Sequence, residues 1–355
     1  MSPATGRHPD PGFWRGRRVL LTGHTGFKGA WLAVMLDRLG AAVHGLALDP
    51  APGDGAFVRL AVAPLLASDS RIDIRDARAT AEAVRAARPG IVLHLAAQAL
   101  VGASYADPAG TFATNVQGTI NVLEPLRGLT GCEAAVVVTS DKVYRNDGTG
   151  RPFRESDPLG GHDPYSASKA ACEIAVGSWA ASFGRELPPV GTGRAGNVIG
   201  GGDFGPARLI PDLVRAEAAG EALVVRRPDA ARPFQHVLDV LAGYLLLAED
   251  LAAKTDAPRA VNFGPIEPEL AVRDLLAAYG AARGRPVRWN AAEGPVMAEA
   301  PRLALDSTLA RQALGWSPRL GGRTGLAATA GWYDAWATGA DVAALARAQV
   351  AEVLA

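Results

Sequence analysis

The sequence of 355 residues is poor in features that would each indicate a particular class of protein. It has only two cysteines, Cys132 and Cys172, which are too few for a disulfide framework or a cysteine metal site. Its six histidines show no metal-ligand spacing, so we expect no metal. Although 48% of the residues are hydrophobic, no uninterrupted apolar run is long enough to cross a bilayer. Residues 1–11 lack the apolar core of a signal peptide, so we expect a cytoplasmic protein.

An excess of charge of one sign is also missing. The chain carries 36 basic and 36 acidic residues, so its formal net charge is zero. Proteins that bind nucleic acid usually show a basic patch or stripe, and this balance suggests none. We therefore expect a small-molecule partner, and neither nucleic acid nor a membrane.

A glycine-rich turn near the N-terminus is the first feature that indicates a ligand. Residues 17–22 predict a short buried strand and residues 30–36 predict a helix, with three glycines between them. In this context the first glycine permits a tight turn, the second lets the backbone approach a pyrophosphate, and the third lets helix and strand pack closely. The N–H groups at the helix start would then face the phosphates. The turn residues predicted to bind a dinucleotide are Gly23, Thr25, Gly26, Phe27, Lys28 and Gly29.

Asp49 ends the next predicted strand, which covers residues 42–48. It follows Gly29 by twenty residues, where a carboxylate can accept hydrogen bonds from the adenosine ribose. A carboxylate there would repel a 2′-phosphate, so NAD is favoured over NADP. A simple loop aspartate before Pro50 is the alternative, and the nearby Arg59 keeps NADP open.

The pair Tyr165 and Lys169 indicates acid–base chemistry. Positions i and i+4 lie on one face of a helix, and Asp163 and Pro164 suit the N-cap and first turn of a helix that starts there. An ammonium beside a phenol lowers its pKa from the usual ~10, so we expect Tyr165 to act as a base near neutral pH. Taken alone, the pattern also suits an amphipathic helix with an exposed lysine.

Strands and helices alternate along the first two thirds of the chain. Strands are predicted near 70–74, 91–97, 134–139 and 189–192, and helices near 76–87 and 108–126. This alternation predicts an α/β fold, a Rossmann-like doubly wound parallel sheet. Ligands bind beyond the carboxyl ends of such strands. The strand-end residues expected in the site, besides Asp49, are Asp73, Ile74, Leu95, Ala96, Ala97 and Ser140.

The pattern changes after Gly196, where glycines and prolines divide the chain into short elements. We predict an NAD-binding domain of residues 13–196 plus 236–263. A smaller, discontinuous C-terminal substrate domain would comprise residues 197–235 plus 264–325. Residues 326–355 predict a helical segment without an assigned role.

These motifs resemble the extended short-chain dehydrogenase/reductases, in the branch that modifies nucleotide sugars. The Gly-x-x-Gly-x-x-Gly spacing is that of short-chain dehydrogenases, but it marks only the fold. The triplet Ser140-Asp141-Lys142 and the motifs between Gly200 and His236 are more specific, and they are similar to those of the 4,6-dehydratases acting on CDP-glucose. The matching stretches are 13–16, 23–32, 139–144, 157–169, 194–203, 208–212, 232–237 and 262–265. The similarity runs from about residue 13 to about residue 320.

The resemblance implies a redox-neutral lyase with tightly bound NAD, active in deoxysugar biosynthesis. The catalytic residues would be Ser140, Asp141, Lys142, Tyr165 and Lys169. Asp141 would protonate the departing C6 hydroxyl, and Lys142 would stand where related dehydratases carry the glutamate that removes the C5 proton. A lysine is a base only when neutral, so a second interpretation is that Lys142 only holds Asp141 or the substrate. Val143 replaces the usual cysteine of the CDP enzymes, a change that affects no proposed step.

The resemblance also implies a set of binding residues and an oligomer. Tyr165 and Lys169 would contact NAD as well as take part in the chemistry, and the assembly would be a homodimer or homotetramer. Asn115 would hydrogen-bond the backbone near the catalytic helix, and His94 is expected to be a structural histidine. The residues expected to bind CDP-glucose are Gln98, Asn197, Arg208, Leu209, Arg232, His236 and Arg302, of which Arg208 and Arg232 suit the diphosphate.

Two rival interpretations stay open at this point. An epimerase or reductase of the same fold would use Tyr165 and Lys169 without elimination, and would not need Asp141 and Lys142. A non-catalytic NAD-binding regulator would need none of these side chains.

Overall fold

The computed structural model describes residues 6–50, 53, 55–292 and 303–355, apart from the side chain of Arg232. Its strands are β1 Arg18–Thr22, β2 Ala42–Ala47, β3 Leu66–Arg71, β4 Ile91–His94, β5 Ala134–Val138, β6 Val190–Ala195, β7 Asn197–Ile199, β8 Leu223–Val225, β9 Ala231–Arg232, β10 Phe234–His236, β11 Ala260–Phe263, β12 Leu270–Ala271 and β13 Trp289–Ala291. Its helices are α1 Pro11–Trp14, α2 Phe27–Arg38, α3 Ala56–Arg59, α4 Ala77–Ala87, α5 Val101–Ala106, α6 Pro108–Phe112, α7 Gly118–Leu123, α8 Pro164–Phe183, α9 Leu209–Ala218, α10 Val237–Ala253, α11 Val272–Ala282, α12 Thr308–Leu314, α13 Gly322–Ala337 and α14 Val342–Leu354.

Seven strands form one sheet in the order β11-β6-β5-β4-β1-β2-β3, and every neighbouring pair is parallel. Successive side chains of a strand point to opposite faces. Val19 and Leu21 accordingly join the core that contains α2, α10 and α14, whereas Leu20 joins the core that contains α4, α7 and α8. The predicted doubly wound α/β sheet is therefore confirmed.

The helix predicted over residues 108–126 is not continuous. The chain forms α6, then one π-helical turn over Ala113–Gln117, then α7. Such π turns are common at functional sites, and Asn115 lies inside this one. A sequence pattern with a 3.6-residue period does not reveal one extra residue in a turn.

Six short strands of the described residues lie outside the main sheet and form three two-stranded sheets. They pair as β7 with β10, β8 with β13, and β9 with β12. These strands come from the two stretches expected to form the smaller domain, although the domain boundaries stay a prediction. At the C-terminus, α13 packs on α11 and α14 packs on α2.

No helix of the described residues is long and apolar enough to cross a bilayer. The same residues contain no group of three or more His, Cys, Asp or Glu side chains arranged to hold a metal ion.

Candidate active site

The glycine turn has the shape that a pyrophosphate requires. Gly23 has φ +74°, and a Cβ there would lie 2.8 Å from the Ala96 nitrogen. A Cβ on Gly29 would collide with the Gly23 carbonyl, whereas one on Gly26 would approach only that oxygen, at 3.3 Å. Gly26 is the N-cap of α2, and no side chain caps this helix end. The N–H groups of the first turn are thus available to an anion, so the residues present fit the phosphates of NAD.

Alanine substitutions at Gly29 and at Gly26 are expected to have different effects. We expect Gly29→Ala to unfold the turn, because the added methyl has no space. Gly26→Ala should fold normally but weaken NAD binding about ten- to hundredfold, since the methyl fills the ligand side of the turn at a cost of ~1–3 kcal/mol. Titration calorimetry with NAD and thermal unfolding of both variants measure this. Unchanged NAD affinity in a folded Gly26→Ala would contradict the assignment.

The adenosine end of the cleft combines an expected carboxylate with an unexpected cation. Asp49 follows β2 and its side chain is 86% exposed, so it is accessible to a ribose. The Nε of Arg71 lies 3.9 Å from Asp49 Oδ1, and sequence reasoning missed this cation because it lies one strand away. Thr25 holds the turn by donating to the Leu48 carbonyl at 3.0 Å.

At the end of β3 the carboxylate of Asp73 accepts from the Arg75 backbone at 2.9 Å and from its guanidinium at 2.6 Å. Hydrogen bonds from Arg75 lower the pKa of Asp73. Ile74 is buried, and its carbonyl accepts from the Asn121 side chain at 2.8 Å. Both residues therefore follow the end of β3, where ligand-binding residues were expected.

The end of β4 is held by buried hydrogen bonds. The Thr22 hydroxyl accepts from the Leu95 and Ala96 nitrogens, each at 3.1 Å. Both ring nitrogens of His94 are hydrogen-bonded, to Thr22 at 2.7 Å and Thr119 at 3.0 Å. Burial, with the charge of Lys169, lowers the pKa of His94 to about 3. The expectation of a structural histidine is confirmed.

Asn115 connects this edge to the catalytic helix. Its side chain accepts from the Gln98 nitrogen at 2.8 Å, and donates to the Gln98 carbonyl at 3.0 Å and the Ser168 hydroxyl at 2.9 Å. The Gln98 side chain itself bonds Thr111 and the Leu100 nitrogen. Its assignment to substrate binding stays a prediction, and Ala97, beside it in sequence, is half-buried.

The triplet after β5 forms a compact acid site. Ser140 caps a 3-10 turn over residues 141–143, accepting from the Lys142 nitrogen at 3.2 Å. The Ser140 hydroxyl donates to Asp141 Oδ1 at 3.0 Å and is also hydrogen-bonded to the Tyr165 hydroxyl. Asp141 is buried, and its Oδ2 lies so close to Gly196 that a Cβ there would approach to 3.0 Å. Serine thus links the acid to the tyrosine, with Lys142 beside them half-buried.

Tyr165 lies in the first turn of α8, as predicted. Asp163 is the N-cap, and its carboxylate accepts from the Ser166 nitrogen at 3.0 Å. Tyr165 is 8% exposed and Lys169 is 5% exposed, so the alternative of an exposed surface lysine is wrong. Tyr165 and Lys169 both belong to the interior of the site.

The predicted low pKa of Tyr165 is wrong for the protein without ligands. Burial raises the pKa of Tyr165 to about 12; the Ser140 hydrogen bond opposes this, and the charge of Asp141 adds to it. The Lys169 ammonium donates to the Val138 carbonyl at 3.1 Å, so it is directed at the end of β5. Burial also lowers the pKa of Lys169. The spacing of Tyr165 and Lys169 in the sequence places both side chains on one face of a helix. It does not show how strongly burial raises the pKa of the Tyr165 phenol.

Lys28 lies where the charges of two cations and one carboxylate act on its ammonium. Burial, with the charges of Arg208 and Lys169, lowers the pKa of Lys28 to about 8, and Asp141 opposes the shift. The Lys28 Nζ lies 5.8 Å from the ring centroid of Tyr244. The side-chain role of Lys28 could have been suspected from sequence, because a helix N-terminus disfavours a cation.

The remaining expected substrate residues differ in their surroundings. Arg208 is the N-cap residue of α9, directly before Leu209, and Asn197 begins β7. His236 is 1% exposed; its ring accepts from the Leu238 nitrogen at 3.3 Å and contacts Trp31 edge-on. The other ring nitrogen of His236, Nε2, has no hydrogen-bond partner among the described residues, and the assignment of His236 to substrate binding stays a prediction. Arg302 lies outside the described residues, and Arg232 lies on β9.

A buried ion pair that the sequence analysis did not predict lies next to the Ser140-Asp141-Lys142 triplet. Glu173 on α8 accepts from Arg194 Nε and Nη2, each at 2.9 Å. The same carboxylate accepts from Thr139 at 2.5 Å and Thr192 at 2.7 Å. Because Thr139 precedes Ser140, this pair fixes α8 relative to the catalytic triplet.

Replacing this carboxylate should destabilise the protein strongly. Both side chains of the pair are at most 5% exposed. We expect Glu173→Gln to lower the free energy of unfolding by about 3–5 kcal/mol, because it leaves the Arg194 charge buried without compensation. Urea unfolding measures this. Glu82→Gln, which breaks the exposed pair with Arg78, is the control and should change stability by less than about 0.5 kcal/mol. Equal effects of the two substitutions would contradict the prediction.

Residues 19–264 match the model of the NAD dependent epimerase/dehydratase family. The chain belongs to this family. It is 37% identical over 353 residues to the CDP-glucose 4,6-dehydratase of Salmonella typhimurium, covering 97% of this chain and 98% of that protein. It is 27% identical to the dTDP-glucose 4,6-dehydratase of Neisseria meningitidis serogroup B, over 89% and 93% of the two chains.

Solved structures of the family show the same fold. DesIV, a dTDP-glucose 4,6-dehydratase from Streptomyces venezuelae solved with NAD, matches with a TM-score of 0.75, 27% identity and coverage of 91% and 98%. The UDP-glucose 4-epimerase of Thermus thermophilus, also solved with NAD, matches with a TM-score of 0.76, 27% identity and coverage of 89% and 99%. Membership confirms NAD as the cofactor, and the glycine turn, Asp49 and the end of β3 are the parts of this family member that would hold it.

Proposed function

We propose that this family member is an NAD-dependent lyase that converts CDP-D-glucose to CDP-4-keto-6-deoxy-D-glucose. Its 37% identity over 97% of the chain to a CDP-glucose 4,6-dehydratase carries the proposal. The site chemistry supports it, because Ser140 joins the acid Asp141 to Tyr165 by hydrogen bonds. An epimerase would need no carboxyl acid at this position.

The proposed roles follow from the positions of the side chains. The glycine turn, Asp49 and the end of β3 would hold NAD, which would supply hydride transfer from sugar C4 and back to C6. Tyr165 takes the proton of the 4-hydroxyl, with Ser140 orienting the phenol. The resulting C4 ketone acidifies C5–H, Lys142 takes that proton, and Asp141 protonates the C6 hydroxyl so that it leaves as water. Lys142 later returns a proton to C5, so the only net change is loss of water.

The buried Tyr165 phenol must first lose its proton before it can act as the base in the oxidation at C4. A pKa of about 12 leaves Tyr165 protonated at neutral pH. The base form therefore depends on added positive charge in the loaded site, where the charge of Arg208 already lowers the pKa of Tyr165. Asp141 must carry a proton to act as the acid.

Incubation of the purified protein with NAD and the glucose esters of CDP, dTDP, GDP and UDP tests the proposal. We expect only CDP-glucose to lose the mass of one water, without net formation of NADH. Water loss from a different nucleotide sugar would change the substrate. Epimerisation without mass change, or one NADH released for each product, would overturn the lyase assignment.

Exposed apolar side chains on three helices bear on the oligomeric state of the protein. Tyr105, Phe112 and Ile174 are 53%, 39% and 63% exposed on α5, α6 and α8, which pack together. Exposed apolar side chains on packed helices are consistent with an interface, so we propose a homodimer or homotetramer. The enzyme would act in the cytoplasm and supply deoxysugar biosynthesis, such as that of lipopolysaccharide O-antigen. Light scattering after size-exclusion chromatography measures the assembly.

A further inference from the structure

Arg208 is held in the site by a residue of its own loop. Its Nη1 donates to Asp203 Oδ2 at 2.8 Å. Asp203 is 5% exposed, and its other oxygen accepts from the Gly205 nitrogen at 3.0 Å. The Arg208 side chain stays 35% exposed, so part of the guanidinium remains accessible to a ligand. Its charge acts on both Lys28 and Tyr165, which places it beside the acid–base groups.

The loop backbone is shaped around this pair. Ala207, directly before Arg208, has φ +57°, a left-handed conformation that costs a non-glycine residue free energy. A Cβ on Gly205 would lie 3.3 Å from Arg208 Cδ and Nε, so the arginine folds back across a glycine. Strained residues persist where the surroundings over-determine them, often at ligand clamps.

Asp203 is in turn fixed by the C-terminal helix α13. The Tyr333 hydroxyl donates to the Asp203 carbonyl at 2.5 Å. Phe204 packs against Trp332, Tyr333 and Trp336, with its ring centroid 5.1 Å from that of Trp336. The segment without an assigned role in the sequence thus contacts the loop that carries the arginine.

We propose that Asp203 is a positioning residue that orients the Arg208 guanidinium toward the diphosphate of the nucleotide sugar. We also propose that Tyr333 links helix α13 to this Asp203–Arg208 pair. The inference rests on the proposed function, since it takes a nucleoside diphosphate as the ligand. An arginine oriented in advance loses less freedom on binding a diphosphate. Asp203 itself does not contact the ligand. Its carboxylate binds one side of the Arg208 guanidinium, so that the opposite side is directed at the diphosphate.

The test is the binding of CDP and of cytidine, measured by calorimetry on the full chain. Arg208→Ala should weaken CDP binding about ten- to hundredfold and leave cytidine unchanged, because cytidine has no phosphate. Asp203→Asn keeps the shape and the Gly205 bond but removes the charge, so we expect about three- to tenfold weaker CDP binding. In the Arg208→Ala background, Asp203→Asn should add nothing. Tyr333→Phe should weaken CDP binding in the same direction by a smaller factor.

Two substitutions serve as matched controls. Glu217→Gln removes the same charge near the far end of α9, where Glu217 pairs with Arg283. Tyr279→Phe removes a buried hydroxyl that has no partner among the described residues. Neither should change CDP binding. In turnover, Asp203→Asn should raise KM for the nucleotide sugar with little change in kcat, whereas a general loss of structure would lower both stability and kcat.

Specific results would overturn the inference. Wild-type CDP affinity in Asp203→Asn, or an equal loss for CDP and cytidine, would show that Asp203 does not position Arg208 for phosphate. An additional loss in the double variant would show that it acts elsewhere. If UDP, dTDP or GDP binds better than CDP, the nucleotide of the proposed function is wrong, and the same variants then test the inference with the preferred diphosphate.

Discussion

Tyr165→Phe is expected to lower turnover by about 10²–10⁴-fold, the usual contribution of a positioned acid–base group. The ring remains in its buried place, so NAD and CDP-glucose should bind with nearly unchanged affinity. Only the hydroxyl that is hydrogen-bonded to Ser140 is removed. Single-turnover kinetics together with calorimetry of both ligands separate chemistry from binding.

Tyr105→Phe is the matched control, because Tyr105 is 53% exposed and lies outside the site. Its turnover should equal that of the wild type. Near-normal activity in Tyr165→Phe would remove Tyr165 from the mechanism, whereas parallel loss of NAD affinity and turnover would indicate that the ring mainly supports the cofactor.

Local signals in the sequence were sufficient for the elements that position the site. Gly23 and Gly29 predicted the turn because each needs a conformation or an approach that only glycine allows, and both requirements are present. Asp163 and Pro164 predicted the start of α8 for the same kind of reason, since an N-cap and a first-turn proline act within four residues. Such features depend on neighbours in sequence and can be read from it.

Features that depend on three-dimensional burial could not be read in this way. The pKa of Tyr165 was predicted to fall because Lys169 lies one turn away, and it rises because the surrounding fold removes water from the phenol. The partners of Glu173 come from β6 and from the residue after β5, which no local pattern connects. Lys28 and Tyr244 lie more than two hundred residues apart and meet only in the folded site.

Burial also affects what the acid pair can do. Asp141 and Lys142 follow one another in sequence, yet the structure gives them different surroundings, since Asp141 is 4% exposed and Lys142 is half-buried. This difference supports separate roles for the two residues in the elimination step.

Asp141→Asn and Lys142→Met are each expected to stop water loss but to spare oxidation at C4. Tyr165, Lys169 and the glycine turn remain in place in both variants, so the first step keeps its groups. With CDP-glucose, absorbance of reduced cofactor should therefore build up on the enzyme instead of returning to baseline. Turnover should fall by about 10²–10⁴-fold, as for other positioned acid–base groups.

Exchange of the C5 hydrogen with solvent deuterium then separates the two roles. If Lys142 is the base, exchange should persist in Asp141→Asn, because proton removal can precede departure of hydroxide, and it should vanish in Lys142→Met. Lys142→Arg is the matched control: it keeps the positive charge but cannot lose it near neutral pH, so it should bind substrate and fail to exchange. Exchange at the normal rate in Lys142→Met would show that another group takes the proton. Lys142 would then hold Asp141 or the substrate, and the search for the base would turn to the buried Lys28, whose pKa of about 8 leaves part of it neutral at slightly alkaline pH.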